Sequence, residues 1–393
     1  MPHLNRNIFK VYLYSVFEMM LFTVSILLPF FVSIGLKTSD VFLIQAIFAI
    51  TVAVFEIPSG YIADLIGRKK ILIISELVAI IGFGIYSQAN GFAAVAFAEI
   101  LLAISYSLYS GVKEAIIYDS LLLLEEQSTY QQKTGTAGSI GFFSEGVTCI
   151  AGGFLAAISL RLPFYAQLIS TVIALIIILT FVEPTRSRPH EEHVENFKRA
   201  LFGIFLKDKR MLWSSLLFAT ISSITFCSVW FSQIMYQEKH LPVAWFGILF
   251  AIGSFAVALG SIISHRLQKK MPEWAQYIMI MAIVVIGCLG MNIPAIWAVA
   301  FTLLPRMAWG ILTPLSLTVA NRMIDSDLRV TVLSIRNMVD RLMYVALAPL
   351  MSFVTDKYSL PAALSTSMVI LVAFGGVALW KTNRSGALTG VKA

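Results

Sequence analysis

Glu18 lies about ten residues into a long apolar run, so on a helix rising ~1.5 Å per residue it reaches ~15 Å, near the middle of a bilayer. An ionisable side chain at that depth is a default candidate for handling ions, protons or substrate. Tyr14, Glu18, Leu21 and Ser25 share helical spacing and form one half-polar stripe. Glu145 has a similar setting, on a face with Gly138, Gly141, Thr148 and Gly152, where small residues permit close packing around one acid. Glu99 follows with Ala103, Tyr106 and Ser110. Neither Glu18 nor Glu145 has a cation at helical spacing on its own run, which suits a carboxylate that exchanges protons. The second half carries the opposite sign. Arg306 stands at mid-depth with Thr302, Trp309 and Thr313 at compatible spacing, and Arg336 and Asp340 are four apart and can pair on one face, either for packing or for function. The proton-coupling candidates are therefore Glu18, Glu145, Asp340 and Glu99, and the substrate-cavity candidates Tyr14, Arg306, Trp309 and Arg336. Glu56 and Glu76, near the ends of their runs, read as structural.

Other chemistries lack their residues. Cys149, Cys227 and Cys288 fall inside apolar runs without CxxC spacing. The histidines (His3, His190, His193, His240 and His265) lie at loop or terminal positions, away from any nucleophile or metal cage. No GxxxxGK[ST] phosphate loop occurs. An enzyme and an ATP-driven pump are both disfavoured, and no cofactor or metal is expected.

The elements that position these charges are membrane spans. Of 393 residues, 58% are hydrophobic and 13% charged, against about a quarter charged in soluble domains. Twelve apolar runs are long enough to cross the hydrocarbon core: 8–32, 41–62, 71–89, 92–120, 133–159, 164–182, 211–236, 244–264, 273–291, 295–320, 330–355 and 361–380. The first follows MPHLNRN and lacks a small-residue cleavage pattern, so it reads as a retained span. The expected organisation is an N-terminal six-helix bundle (1–182), a linker (183–210) and a C-terminal six-helix bundle (211–393). Within the linker, FKRALFGIFLKDKR suits either a helix on the membrane surface or a solvated connection.

With the N-terminus in the cytoplasm, about twenty Lys and Arg fall on the inner side, against only Lys37, Arg161, Lys239 and Lys357 outside. Both termini are expected in the cytoplasm. The net charge of +7 then reflects orientation rather than nucleic-acid binding. Six spans, a linker and six more suggest an internal duplication around a central site.

One loop carries more than charge. GYIADLIGRKK (residues 60–70) crowds Gly60, Asp64, Gly67, Arg68, Lys69 and Lys70 between two apolar runs. Its glycines permit a tight turn, and an aspartate there can meet a helix N-terminus. This stretch resembles the loop signature of the major facilitator superfamily, with Leu65 where a base is usual. The resemblance implies an all-α integral membrane fold of twelve helices in two pseudo-symmetric bundles. It implies a cytoplasmic latch in which Asp64 faces the start of span eleven (RVTVLSIRN) and Arg68 pairs with Asp119. Two further family features are absent: Glu99 and Ala103 replace a span-four arginine and glycine, and Thr148 and Cys149 replace a Gly-Pro pair in span five. The implied function is secondary export of small amphipathic or hydrophobic molecules in exchange for protons. The alternative is a carrier for an anionic or zwitterionic metabolite. The expected partners are a small-molecule substrate, protons and the lipid bilayer, with no nucleic acid, for a monomer in a bacterial inner membrane.

Overall fold

The computed structural model describes residues 2–183, 201–202, 205, 207–324 and 329–388, with the side chains of 2–6, 57, 60, 61, 63, 64, 329 and 330 excepted. Half of the expected surface-helix stretch (197–200, 203, 204 and 206), and the rest of the linker from 184 to 196, lies outside the described residues. Every regular element among the described residues is helical. In chain order they are α1 (Pro2–Glu18), α2 (Leu27–Ser33), α3 (Asp40–Ile66), α4 (Arg68–Gln88), α5 (Phe92–Tyr109), α6 (Val112–Leu123), α7 (Tyr130–Ile158) and α8 (Leu162–Leu179). They continue with α9 (Lys209–Glu238), α10 (Val243–Leu267), α11 (Glu273–Met291), α12 (Leu303–Asn321), α13 (Arg329–Lys357), α14 (Leu360–Ile370) and α15 (Gly376–Arg384). A 3-10 turn, Val24–Ile26, leads into α2 and another, Ile296–Thr302, into α12. A π-turn, Leu371–Gly375, joins α14 to α15.

The ends of these helices follow local chemistry. Asp208 caps α9 by accepting the Arg210 N–H at 2.8 Å, and Ser359 caps α14 by accepting the Ala362 N–H. Pro163 sits in the first turn of α8, where its missing N–H leaves no helical bond unmade. Gly111, at φ +77°, separates α5 from α6 in a conformation that side chains disfavour.

Among the described residues, ten helical stretches are long and apolar enough to cross a membrane, against the twelve expected. The first expected span departs most from the sequence reading. It is not one helix: α1 stops at Glu18, residues 19–23 are non-helical, and the chain resumes helix only at Val24. Leu21 therefore lies in the break and Ser25 in the 3-10 turn, so the Tyr14–Glu18–Leu21–Ser25 stripe is not a single helical face.

The residues cluster into two compact units. The first comprises Met1–Leu36, Ile47–Glu191 and Pro242–Ala251. The second comprises Lys37–Ala46, Glu192–Leu241 and Ile252–Ala393. In the first, α4 packs along α5 and α8, and α1 along α7 and α8, over a core that includes Val11, Tyr14, Leu72 and Ile117. In the second, α9 is packed by α12, α13 and α15, and α11 by α12. Phe205, Met211, Val332 and Ile335 form part of its core.

Gly152 marks the tightest contact of α7 with the broken segment: an added Cβ would sit 2.0 Å from the Phe22 carbonyl oxygen. Gly146 on the same helix has nothing within 4 Å of that position. Gly152→Ala is expected to destabilise the protein by about 2 kcal/mol, the usual scale of overpacking. Gly146→Ala, with better helix propensity and open space, is expected to be neutral or stabilising. Thermal unfolding of the detergent-solubilised variants, followed by size-exclusion chromatography, separates the two. Equal melting temperatures would contradict this account of the contact.

Candidate functional site

The break in the first span places polar main chain where apolar helix was expected, and α7 and α8 supply its partners. The Leu21 N–H donates to Thr148 Oγ1 at 3.1 Å and the Phe22 N–H to Gln167 Oε1 at 3.0 Å. At the end of α1, Ser144 donates to the Val16 carbonyl at 2.7 Å and Ser170 to the Phe17 carbonyl at 2.9 Å. Thr148 in turn donates to the Ser144 carbonyl, so its hydroxyl both gives and accepts. Unpaired backbone groups are expensive in a water-free layer, and these four side chains answer that requirement.

Glu18 is the last residue of α1, and Lys113 the second of α6. The Lys113 ammonium donates to the Glu18 carboxylate at 2.7 Å, with side-chain exposures of 13% and 6% respectively. Both helices are interrupted at this place, one after Glu18 and the other at Ser110–Gly111. Each charge sits at the end of its own helix that the macrodipole disfavours, an anion at a C-terminus and a cation at an N-terminus. The ion pair offsets both. One turn earlier on α1, the Tyr14 hydroxyl donates to Glu76 at 2.9 Å in a fully buried contact. Glu76, read as structural, is therefore a buried partner of a predicted cavity residue.

The remaining candidates fall in separate places. Glu99 accepts from the Tyr86 hydroxyl at 3.0 Å, with Tyr86 stacked among Phe31 and Phe164. Glu145 is half-buried on α7, next in sequence to Ser144. In the second unit, Asp340 accepts from Ser222 at 3.3 Å. Arg336 does not pair with Asp340. Its guanidinium donates to Ser316 at 2.7 Å and lies 3.9 Å from the Phe218 ring centroid, so α12 and α9 draw it away from the same-helix acid. Arg306 reaches Ser254 at 3.3 Å, with its Nε close against Gly253. Nearby, Tyr236 and Thr302 share a buried hydrogen bond of 2.9 Å. Trp309 is exposed.

The residues of the expected latch give a partial picture. Arg68 meets Asp119 at 2.6 Å. Gly60 and the Asp64 side chain, and the opening residues of α13 that Asp64 was to face, lie outside the described side chains. The carboxylate found at a helix start is Glu183: its two oxygens accept the Arg68 and Lys69 N–H groups at 2.8 and 2.7 Å. Gly67, at φ +104°, leaves room for that approach; a Cβ there would stand 3.3 Å from the Glu183 carboxylate.

Sequence reasoning overlooked Lys113 and Glu183. Lys113 stands inside an apolar run, two residues after Gly111, where no positive-inside argument explains a base. Glu183 is the first acid after the sixth run. Among the described residues, no group of three His, Cys, Asp or Glu is placed to hold a metal.

Removing one member of a buried pair leaves the other charge uncompensated, at about 3–5 kcal/mol. Lys113→Met alone is expected to lose stability on that scale, and Glu18→Gln combined with Lys113→Met to regain most of it. A double-mutant cycle read by thermal unfolding measures the coupling. Additive losses would show that the two side chains do not interact energetically.

Comparison with known proteins places this geometry in context. A profile of the Major Facilitator Superfamily matches residues 11–346. The uncharacterized MFS-type transporter YxaM of Bacillus subtilis (strain 168) is 26% identical over 242 residues, covering 59% of this chain and 58% of that protein. The chain therefore spans little more than half the length of this curated relative. Among solved structures, the nucleoside transporter NupG, in a mutant form, superposes with a TM-score of 0.80 at 12% identity, over 96% of this chain and 99% of that one. A bacterial homologue of the human lysosomal transporter Spinster gives 0.76 at 16% identity, over 98% of both chains. A D-xylose–proton symporter gives 0.74 at 15%, over 96% and 97%. At these identities the structures speak for the fold alone. The profile match extends over most of the chain, from the middle of α1 into α13, and the chain belongs to the Major Facilitator Superfamily, an integral membrane family of transporters rather than enzymes.

Proposed function

We propose that this chain is a secondary transporter that exports small amphipathic or hydrophobic molecules by alternating access, in exchange for protons, with Glu18 as the exchanging group. The observation that carries this reading is the Glu18–Lys113 ion pair at two helix interruptions. Transporters of this general kind build their sites from discontinuous helices. A carboxylate held by a lysine can give up that partner to a proton or to a cationic substrate, and the released ammonium must then find another. Such an exchange changes what joins α1 to α6 and so couples occupancy to conformation. Asp340, bonded to Ser222, is the corresponding acid of the second unit, with Glu145 and Glu99 as further candidates.

The proposal includes twelve spans in two six-helix bundles, both termini in the cytoplasm, a monomer, and a bacterial inner membrane. The Bacillus relative supports a bacterial membrane. Gly60, Asp64, Gly67, Arg68 and Asp119 act in it as a cytoplasmic latch, to which the Arg68–Asp119 contact lends support. A second reading, a carrier for an anionic or zwitterionic metabolite, is favoured by the same ion pair. Glu18 and Lys113 present both signs side by side, and Arg306 and Arg336 add positive charge in the second unit.

Inside-out vesicles energised to an acid interior, given lipophilic cationic dyes, distinguish the two. Uptake abolished by a protonophore is expected for the exporter, and Glu18→Gln or Asp340→Asn should reduce it to the level of empty vesicles while folding persists. Full transport by both variants would remove these acids from the mechanism. No dye uptake by folded protein would favour the metabolite carrier, for which Arg306→Ala is expected to abolish substrate binding.

A further inference from the structure

The start of α9 and the end of α15 pack together and bring two tryptophans and two bases to one place. The Lys381 ammonium lies 5.0 Å from the Trp380 ring centroid and 5.8 Å from that of Trp213. The Arg384 guanidinium lies 5.4 Å from Trp380. Several bases at other helix ends have protein acceptors. Arg68 has Asp119, Arg322 has Glu273, Arg210 has Asp208, and Lys69 has the Leu179 carbonyl. Lys381 and Arg384 have neither an ion pair nor a hydrogen bond among the described residues. They stand three residues apart on one helix, a spacing at which like charges repel. The indole faces hold them there, and among the described residues their N–H donors stay available to a ligand.

The apolar surface beside them indicates what that is. Val369, Val372, Val377 and Trp380 are exposed by 67%, 59%, 53% and 53% along α14, the π-turn and α15. From Val369 to Trp380 is eleven residues by number, or ~16 Å of helix, close to half of the ~30 Å hydrocarbon core. An exposed apolar strip one leaflet long thus ends in a tryptophan and two cations that have no ion pair among the described residues. Tryptophan favours the level of the headgroups, and basic clusters at that level attract anionic lipids.

We propose that this edge binds an anionic phospholipid, with its phosphate between Lys381 and Arg384, its headgroup region against Trp380 and Trp213, and an acyl chain along Val369, Val372 and Val377. The site requires no assumption about the transported substrate. A zwitterionic phospholipid offers the same tails with a compensating positive charge in its headgroup, so the two bases discriminate against it.

The test is native mass spectrometry and thermal unfolding of the full chain in detergent, titrated with phosphatidylglycerol, phosphatidylcholine or soluble glycerol phosphate. Phosphatidylglycerol is expected to bind and raise the melting temperature, with the other two ineffective over the same range. Lys381→Ala combined with Arg384→Ala is expected to weaken phosphatidylglycerol binding about thirtyfold, as the loss of two interfacial bases implies. If that variant misfolds, Lys381→Gln keeps most of the side-chain length, and a roughly fivefold weakening is expected. Equal response to phosphatidylcholine, an equal response to glycerol phosphate, or unchanged phosphatidylglycerol affinity in the folded variants would each overturn the proposal.

Discussion

In a layer without water, each main-chain N–H and C=O group needs a partner inside the protein, and the interruption after Glu18 concentrates that requirement in one place. Val16, Phe17, Leu21 and Phe22 are answered by Ser144, Ser170, Thr148 and Gln167. Those four residues belong to α7 and α8, so the interruption holds α1 in register with both helices. Gly152 lets the Phe22 carbonyl come close enough for the arrangement to exist. Because α1 ends where it does, Glu18 comes at a helix terminus, within reach of Lys113 on a second interrupted helix. The candidate site is therefore a consequence of hydrogen-bond satisfaction rather than an addition to a finished bundle.

The basic start of α4 serves the first unit in a related way. Lys69 and Lys10 donate to carbonyls at the C-terminal end of α8, Leu179 and Thr180, where positive charge also suits the macrodipole. Asn7 adds two bonds to Val182. Glu183, just beyond α8, closes the circuit by capping α4. The charges that suggest orientation in the membrane are thus also the caps of α4 and α8, and Arg68 extends the network to α6 through Asp119.

Helix ends were legible wherever an apolar run is bounded by charge, Gly or Pro. The run at 273–291 coincides with α11, and 71–89 falls within a few residues of α4. The break at 19–23 was not legible, because FEMMLFTVS contains no Gly or Pro. Its cause is tertiary: polar side chains on α7 and α8 compete for main-chain groups that would otherwise bond within α1. The clue lay in the partners, since Ser144 and Thr148, and Gln167 and Ser170, recur at helical spacing in otherwise apolar runs. Same-helix spacing also misled at Arg336. It permits a pair with Asp340, but a hydroxyl on α12 and a ring on α9 offer the guanidinium a better-placed environment. Partners on neighbouring helices are invisible to spacing within one helix, and Lys113 escaped notice for that reason.

The π-turn at Leu371–Gly375 bears on the surface that follows it. A π-turn accommodates about one residue more than the α-helical turn it replaces, and each residue advances the helical face by about 100°. Everything after Gly375 is thus rotated relative to an uninterrupted continuation of α14. An uninterrupted α-helix over the same residues would turn Lys381 and Trp380 by about one residue's rotation, ~100°, relative to Trp213. A single-codon deletion within Leu371–Gly375 would therefore convert the π-turn into an α-turn and leave the facing of the residues beyond it unchanged. The extra residue is thus absorbed locally, and the basic end of the last helix would keep Trp213 as its neighbour.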